Sequence, residues 1–148
     1  IGWNYRFTNL QAAIGITQLN RISTIIKKKK EIGNLYYKHL LKNKSLYIQS
    51  PTYKKLVNIY WVVGILIKNK KITAERLRKK LLNHGIDTRS FFWPMNKQIV
   101  LKKMKFKFKN NYKNSEYLSK YGLYLPSGVG TTAKEIKFVA KTINKILK

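Results

Sequence analysis

The stretch Gly2-Trp3-Asn4-Tyr5-Arg6-Phe7-Thr8-Asn9-Leu10-Gln11-Ala12-Ala13-Ile14-Gly15-Ile16-Thr17-Gln18-Leu19 carries most of what the chain says about itself. A glycine-led polar turn, G-x-N-x-R, runs directly into a helical pattern opened by Thr8 or Asn9. Ser, Thr, Asn and Asp at that position bond the free amides of the first turn, and a helix entrance favours anions. Asn4 and Arg6 are thereby held at a candidate phosphate site. Working outward, apolar residues continue at spacings of three and four through Ile22, Ile25, Ile26, Ile32, Leu35, Tyr36 and Leu40. The spacing predicts one long helix of about thirty residues from Thr8 to near Leu41. The run Lys27-Lys28-Lys29-Lys30 sits in its middle. Four consecutive helical positions point around a whole turn, so it reads as a solvated face with stems lying over apolar neighbours.

Beyond the helix, residues 43–58 read as a polar connection containing Pro51. Ile59 to Lys68 reads as a strand. Thr73 to Asn83 reads as a helix capped by Thr73, with Glu75 in its first turn and Gly85 past its end. Ile86 to Phe91 reads as a short strand and Phe92 to Asn96 as a loop, because Pro94 cannot continue a ladder. Lys102 to Lys113 alternates Lys with Met, Phe and Tyr. Such a stretch can bind single strands, but it reads better as a surface loop or a lysine-protected edge strand. Asn114 to Tyr121 is a short helix ending at Gly122, and Leu123 to Leu125 a strand turned by Pro126. Thr132 and Glu135 form a capping box before a final helix whose apolar face is Ile136, Val139, Ala140, Ile143 and Leu147. The fold class is α+β: a long N-terminal helix, then a small, mainly antiparallel sheet with helices on one face.

Charge is the loudest compositional fact. There are 32 basic and five acidic residues, a formal net charge of +27. Arg6, Arg21, Arg76, Arg78 and Arg89 are the only arginines, so the other 27 basic residues are Lys. Arg is the favoured residue for bidentate base and phosphate recognition. Its scarcity, beside many Asn, Ile and Tyr that share A/T-rich codons with Lys, argues for a drifted basic surface over a specific nucleic-acid or membrane partner. With 44% hydrophobic residues the chain can bury a core, and with no Cys it forms no disulfide or thiolate metal site. The longest apolar run, Ile59 to Ile67, is short of a membrane span. No basic stretch leads into an apolar run and cleavage site, so a cytoplasmic location is expected. His39 and His84 have no clustered partners, and no metal site is expected. The chain opens at Ile1 and is expected to be a piece of something longer.

Four segments together resemble one known family. The opening stretch resembles the G-[YF]-N-[YF]-R-x-[TS]-[ND]-[LI]-Q-A-A-x-G-x-x-Q-L segment of the DegT/StrS-type nucleotide-sugar aminotransferases, which use pyridoxal phosphate (PLP). Leu81 to Arg89 resembles the family's L-x-x-x-G-I-[ED]-T-R. Ser90-Phe91-Phe92-Trp93-Pro94-Met95-Asn96 resembles P-F-F-[YW]-P-[ML]-H, and Gly122 to Gly128 resembles G-[LF]-x-[LI]-P-S-G. The flavour is that of the perosamine-synthase-like branch. Two departures stand out: Asn96 replaces a His near the sugar, and Ser90 replaces a Pro.

The resemblance implies the C-terminal part of a PLP-dependent aminotransferase that moves an amino group from an amino acid, glutamate first, to a keto nucleotide sugar. It implies a division at residue 42, with 1–42 linking to an N-terminal PLP domain and 43–148 forming a small α+β domain. It implies a homodimer with shared active sites. Asn4 would hydrogen-bond the cofactor phosphate in the partner subunit's site, and Arg6 would assist with phosphate groups. Phe92, Trp93 and Asn96 would border the sugar, and Arg89 is as readily a brace as a ligand. The family's cofactor lysine belongs to its N-terminal domain, so no catalytic residue is assigned and the isolated chain is expected to be inactive. A basic nucleic-acid-binding module and a non-catalytic dimerising remnant are the alternatives.

Overall fold

A computed structural model describes residue 3, residues 5–108 and residues 111–148. The helical run at the start is present in two pieces. α1 spans Asn9–Asn20 and α2 spans Ile22–Leu40, with Arg21 between them at φ −111°, ψ 11°. The Arg21 amide bonds back to Gln18 and Leu19 rather than continuing the ladder. Thr17 contributes locally, since its hydroxyl donates to the Ala13 carbonyl, a back-bond that bends helices. No side chain of α1 is buried, so no packing holds it in line with α2.

After α2 come β1 (Leu46–Ile48), the small hairpin β2 (Thr52–Tyr53) and β3 (Leu56–Val57), and β4 (Val63–Ile67). The expected polar connection over 43–58 is thus corrected. β1 pairs antiparallel with β4 through Leu46 opposite Ile67 and Ile48 opposite Ile65, and Leu46 and Ile48 are buried. β4 also starts later than its apolar run suggests. Tyr60 adopts φ 50°, outside the extended region, and breaks the strand before it can form. Its ring is buried against Gly33 of α2, where any Cβ would overlap it.

Then follow α3 (Ala74–Leu82), β5 (Arg89–Ser90), a 3₁₀ turn at Met95–Lys97, α4 (Ile99–Lys103), α5 (Lys113–Tyr121), β6 (Gly122–Leu125) and α6 (Ala133–Ile146). Thr73 caps α3 by accepting from the Arg76 amide, and Gly85 takes the left-handed φ of 72° that ends the segment. The lysine-alternating segment is a short helix, α4, followed by exposed irregular chain; none of its described residues joins a sheet.

The four-stranded sheet has the order β1-β4-β6-β5, antiparallel throughout. Alternation along β4 and β6 sends Val63, Ile65, Ile67, Leu123 and Leu125 into the core. There they meet Ile32, Tyr36 and Leu40 of α2, Leu77 and Leu81 of α3, and Ile136, Val139 and Ile143 of α6. Each such side chain, fully buried, contributes about 1.5–3 kcal/mol. The second half of the expected 1–42 segment is therefore packed on the 43–148 layer, while α1 is not. Asn43 and Asn144 tie the two helix ends together: Asn43 donates to Asn144 Oδ1 at 2.8 Å, and Asn144 donates to the His39 carbonyl at 3.1 Å.

Candidate functional site

The expected site residues fall on two separate parts of the chain. The first is the arm ahead of α1. Asn4 lies outside the described residues. Tyr5, Arg6 and Phe7 are exposed. Thr8 caps α1 through a complete box: it accepts from the Gln11 amide at 3.3 Å, while Gln11 Oε1 accepts from the Thr8 amide at 2.9 Å. The first turn of α1 carries no acidic side chain. Arg6 thus stands before a helix entrance with no carboxylate in its first turn to oppose an anion.

The second part is the loop after β5, which carries Phe92, Trp93 and Asn96; of the three, only Trp93 borders the cleft between this loop, α3 and α5. Its anchor is Phe91. Register places Gly64, Gly122 and Tyr124 on the sheet face opposite the core, and Phe91 lies over them. Its ring stacks on Tyr124 with centroids 4.6 Å apart and planes at 24°. A Cβ at Gly122 would overlap the Phe91 ring, and one at Gly64 would come within 3.1 Å of it. Two glycines therefore make the slot in which Phe91 sits. Phe92 meets the Tyr124 ring edge-on at 5.9 Å and is otherwise exposed. Pro94 is buried. The Trp93 indole N–H donates to the Lys97 carbonyl at 3.1 Å, and the Lys97 amide donates to the Pro94 carbonyl at 2.9 Å. Trp93 itself is 62% exposed, so its ring is presented and not packed. Ser90, in place of the family's Pro, pairs with Leu123 in β5.

Asn96 reaches across to α5. Its Nδ2 donates to Glu116 Oε1 at 2.8 Å, and Lys97 Nζ pairs with the same oxygen at 3.2 Å. These two partners hold the Glu116 carboxyl below the usual carboxylate range, the Asn96 hydrogen bond first. Between the loop, α3 and α5 lies a cleft of about 660 Å³ bordered by Arg78, Ser90, Trp93, Lys97, Glu116 and Lys120. Sequence reading missed Glu116, because nothing local marks a carboxylate twenty residues from its partner.

A second cleft, about 630 Å³, lies on the other side of β5 and takes in Thr88, Arg89, Tyr124, Ser127 and Glu135. Arg89 shares the outer sheet face with Tyr124. The Thr88 hydroxyl is buried with no hydrogen-bond partner among the described residues. The Pro126-Ser127 turn at its edge is clamped from α2. Tyr36 donates its hydroxyl to the Pro126 carbonyl at 2.8 Å, and Lys29 Nζ donates to the Ser127 carbonyl at 2.6 Å. Burial pushes the Tyr36 hydroxyl up and the Lys29 ammonium down from their ordinary values. Lys29 is thus a correction to the solvated reading of the lysine run. Its spacing of three and seven from Ile32 and Tyr36 was the available signal. His84 donates from Nδ1 to the Lys80 carbonyl, 2.9 Å away, and no acidic, His or Cys cluster suited to a metal occurs among the described residues. No helix among them is long and apolar enough to cross a membrane.

The sequence model of the DegT/DnrJ/EryC1/StrS aminotransferase family matches residues 1–144. The GDP-perosamine synthase of Escherichia coli O157:H7 is 30% identical over 148 residues, covering 98% of this chain and 38% of that protein. Among solved structures, the Helicobacter pylori aminotransferase PseC, involved in pseudoaminic acid biosynthesis, superimposes with a TM-score of 0.86 at 20% identity. That match covers 99% of this chain and 39% of the other. The E. coli GDP-4-keto-6-deoxy-D-mannose-3-dehydratase with bound hydrated PLP gives a TM-score of 0.81 at 23% identity, over 96% of this chain and 36% of the other. The chain spans about 38% of the length of the first curated relatives it matches.

Proposed function

The chain belongs to the DegT/DnrJ/EryC1/StrS aminotransferase family, and we propose that it is the C-terminal portion of a PLP-dependent enzyme acting on nucleotide sugars. The enzyme moves an amino group from an amino acid, glutamate as first candidate, to a keto nucleotide sugar for surface polysaccharide or amino-sugar synthesis. The observation that carries this reading is the family match over residues 1–144, which takes in both the arm and the loop. The described part of the arm is compatible with a phosphate group: Arg6 stands ahead of a helix entrance free of acidic side chains in its first turn.

When bound, PLP supplies the electron sink for amino transfer, and the protein supplies orientation and charge. The residues of this chain hold and orient. Asn4 donates a hydrogen bond to the cofactor phosphate, and Arg6 neutralises phosphate charge of cofactor or nucleotide. Phe92 and Trp93 give an apolar wall to the sugar, and Asn96 a hydrogen-bonding one. Because the arm is exposed, its phosphate contacts are completed elsewhere, in a homodimer with shared sites. The lysine that holds the cofactor is supplied outside these residues.

The test is the complete polypeptide that carries this segment, incubated with PLP, glutamate and a 4-keto nucleotide sugar. Mass spectrometry should find the 4-amino product. Absence of a PLP-binding domain in frame upstream, or of product, overturns the reading. In the same protein Asn4→Ala should weaken PLP retention by about one to two decades, the scale of a hydrogen bond to a charged group at about 1.5–3 kcal/mol. Cofactor titration by absorbance measures it, and unchanged retention removes Asn4 from the site.

A further inference from the structure

We propose that Glu116 is a positioning residue for the sugar pocket: by accepting from the Asn96 amide nitrogen it leaves the Asn96 oxygen to face the substrate. The inference rests on the reading of the Phe92–Asn96 loop as a pocket wall and deepens it. An ionised carboxylate can only accept hydrogen bonds, whereas an Asn amide can present either end. With Nδ2 held on Glu116 Oε1 at 2.8 Å, the amide is turned one way. Lys97 Nζ on the same oxygen fixes the carboxylate in place. Trp93 and Pro94 close the turn beside this point through bonds to Lys97.

The distribution of carboxylates points the same way. Glu31 and Glu75 pair with Lys28 and Lys79 of their own helices, and Glu135 closes its own cap. Glu116 instead joins α5 to a loop twenty positions earlier, and holds a neutral amide there in a chain with 32 basic side chains. With the Asn96 nitrogen spent on Glu116, the end of the amide left for a sugar is its oxygen, which can only accept from a donor. The pocket therefore selects a sugar that carries a hydroxyl at the contacted carbon over the analogue that lacks it.

The experiment uses the complete enzyme with Glu116→Ala, Glu116→Gln, Asn96→Ala and the double alanine variant. For Glu116→Ala the KM for the 4-keto nucleotide sugar should rise about tenfold, the scale of one lost oriented hydrogen bond, with kcat nearly unchanged. The amino-donor half of the reaction, followed without sugar, should keep its rate. Glu116→Gln keeps an acceptor oxygen for Asn96 and should restore most of the affinity. The double variant should be no worse than Asn96→Ala alone. A parallel measurement needs no altered side chain at Glu116: across nucleotide sugars each missing one hydroxyl, one should bind unmodified enzyme about tenfold more weakly, and Asn96→Ala should abolish that difference. An unmoved KM in Glu116→Ala, a flat analogue series, or both half-reactions falling together with the melting temperature would overturn the proposal alone. An unmodified enzyme that neither binds nor aminates the sugar overturns the functional reading and this proposal with it.

Discussion

α1 and α6 start alike and end in opposite environments. Each is opened by a threonine capping box, Thr8 with Gln11 and Thr132 with Glu135, and they have 12 and 14 residues. α6 buries Ile136, Val139, Ala140, Thr142 and Ile143 along one face. α1 buries nothing, although Leu10, Ile14, Ile16 and Leu19 are all apolar and lie on more than one side of it. A cap is a local event of a few residues; burial depends on what the rest of the fold delivers. A helix apolar on several sides is a helix built to be surrounded. Nothing among the described residues surrounds α1, and the aromatic arm before it, Trp3, Tyr5 and Phe7, is more than 80% exposed.

The widest gap between the two regions should appear on truncating core side chains. In the 148-residue chain, Leu123→Ala should cost about 2–5 kcal/mol, as large-to-small changes in a packed core do. Leu10→Ala should cost under about 0.5 kcal/mol, the usual limit for a surface change. Urea unfolding compares them, and a core-sized loss at Leu10 breaks the contrast. In the longer polypeptide proposed above, Leu10→Ala should become core-like, which would locate what covers α1 there. Next in size is Gly122→Ala, where a Cβ would meet both the Phe91 ring and the Leu118 carbonyl. It should cost about 1–3 kcal/mol by overpacking, with Phe91 displaced from Tyr124. An unchanged near-ultraviolet spectrum would argue that the slot is not tight.

The caps sharpen the comparison further. Thr132→Ala should cost about 1 kcal/mol, because α6 is held into the core. Thr8→Ala in the isolated chain should fray α1 by circular dichroism without moving the global unfolding midpoint. The smallest effect concerns acid. Glu116 has its carboxyl lowered in the fold, so the stability it contributes is present above the ordinary carboxylate value and is lost as pH falls through the folded one. Thermal melts of the unmodified chain and Glu116→Gln should differ at neutral pH and converge below about pH 4, where carboxylates protonate. A difference that persists into strong acid would mean that the charge is not what matters.

Much of this was legible in the residues because it is local. The Thr132–Glu135 box, the Gly85 stop and the apolar run that contains Val63 to Ile67 each sit within a few positions of their cause. The four family segments placed the arm and the loop in order along the chain. β1 was not legible: three residues among Asn, Lys and Ser carry little periodicity, and only pairing with β4 makes them a strand. Tyr60 misled for the opposite reason, an apolar residue in an apolar run whose backbone is turned by its seat against Gly33. The bond from Asn96 to Glu116 is purely tertiary. Residue type suggested that Asn96 could donate and accept; only the fold shows which end is spent.

The slot made by Gly64 and Gly122 has a consequence for how such a protein can be varied. It separates the job of fastening the loop from the job of reading a ligand. Phe91 is the peg seated on the sheet, and Pro94, Asn96 and Lys97 close the turn behind it, so the exposed positions Phe92, Trp93 and Met95 can be exchanged without disturbing Leu123 or Val63 beneath. A library confined to those three positions, with Phe91, both glycines, Pro94, Asn96, Lys97 and Glu116 retained, changes the shape of one wall on an unaltered mount.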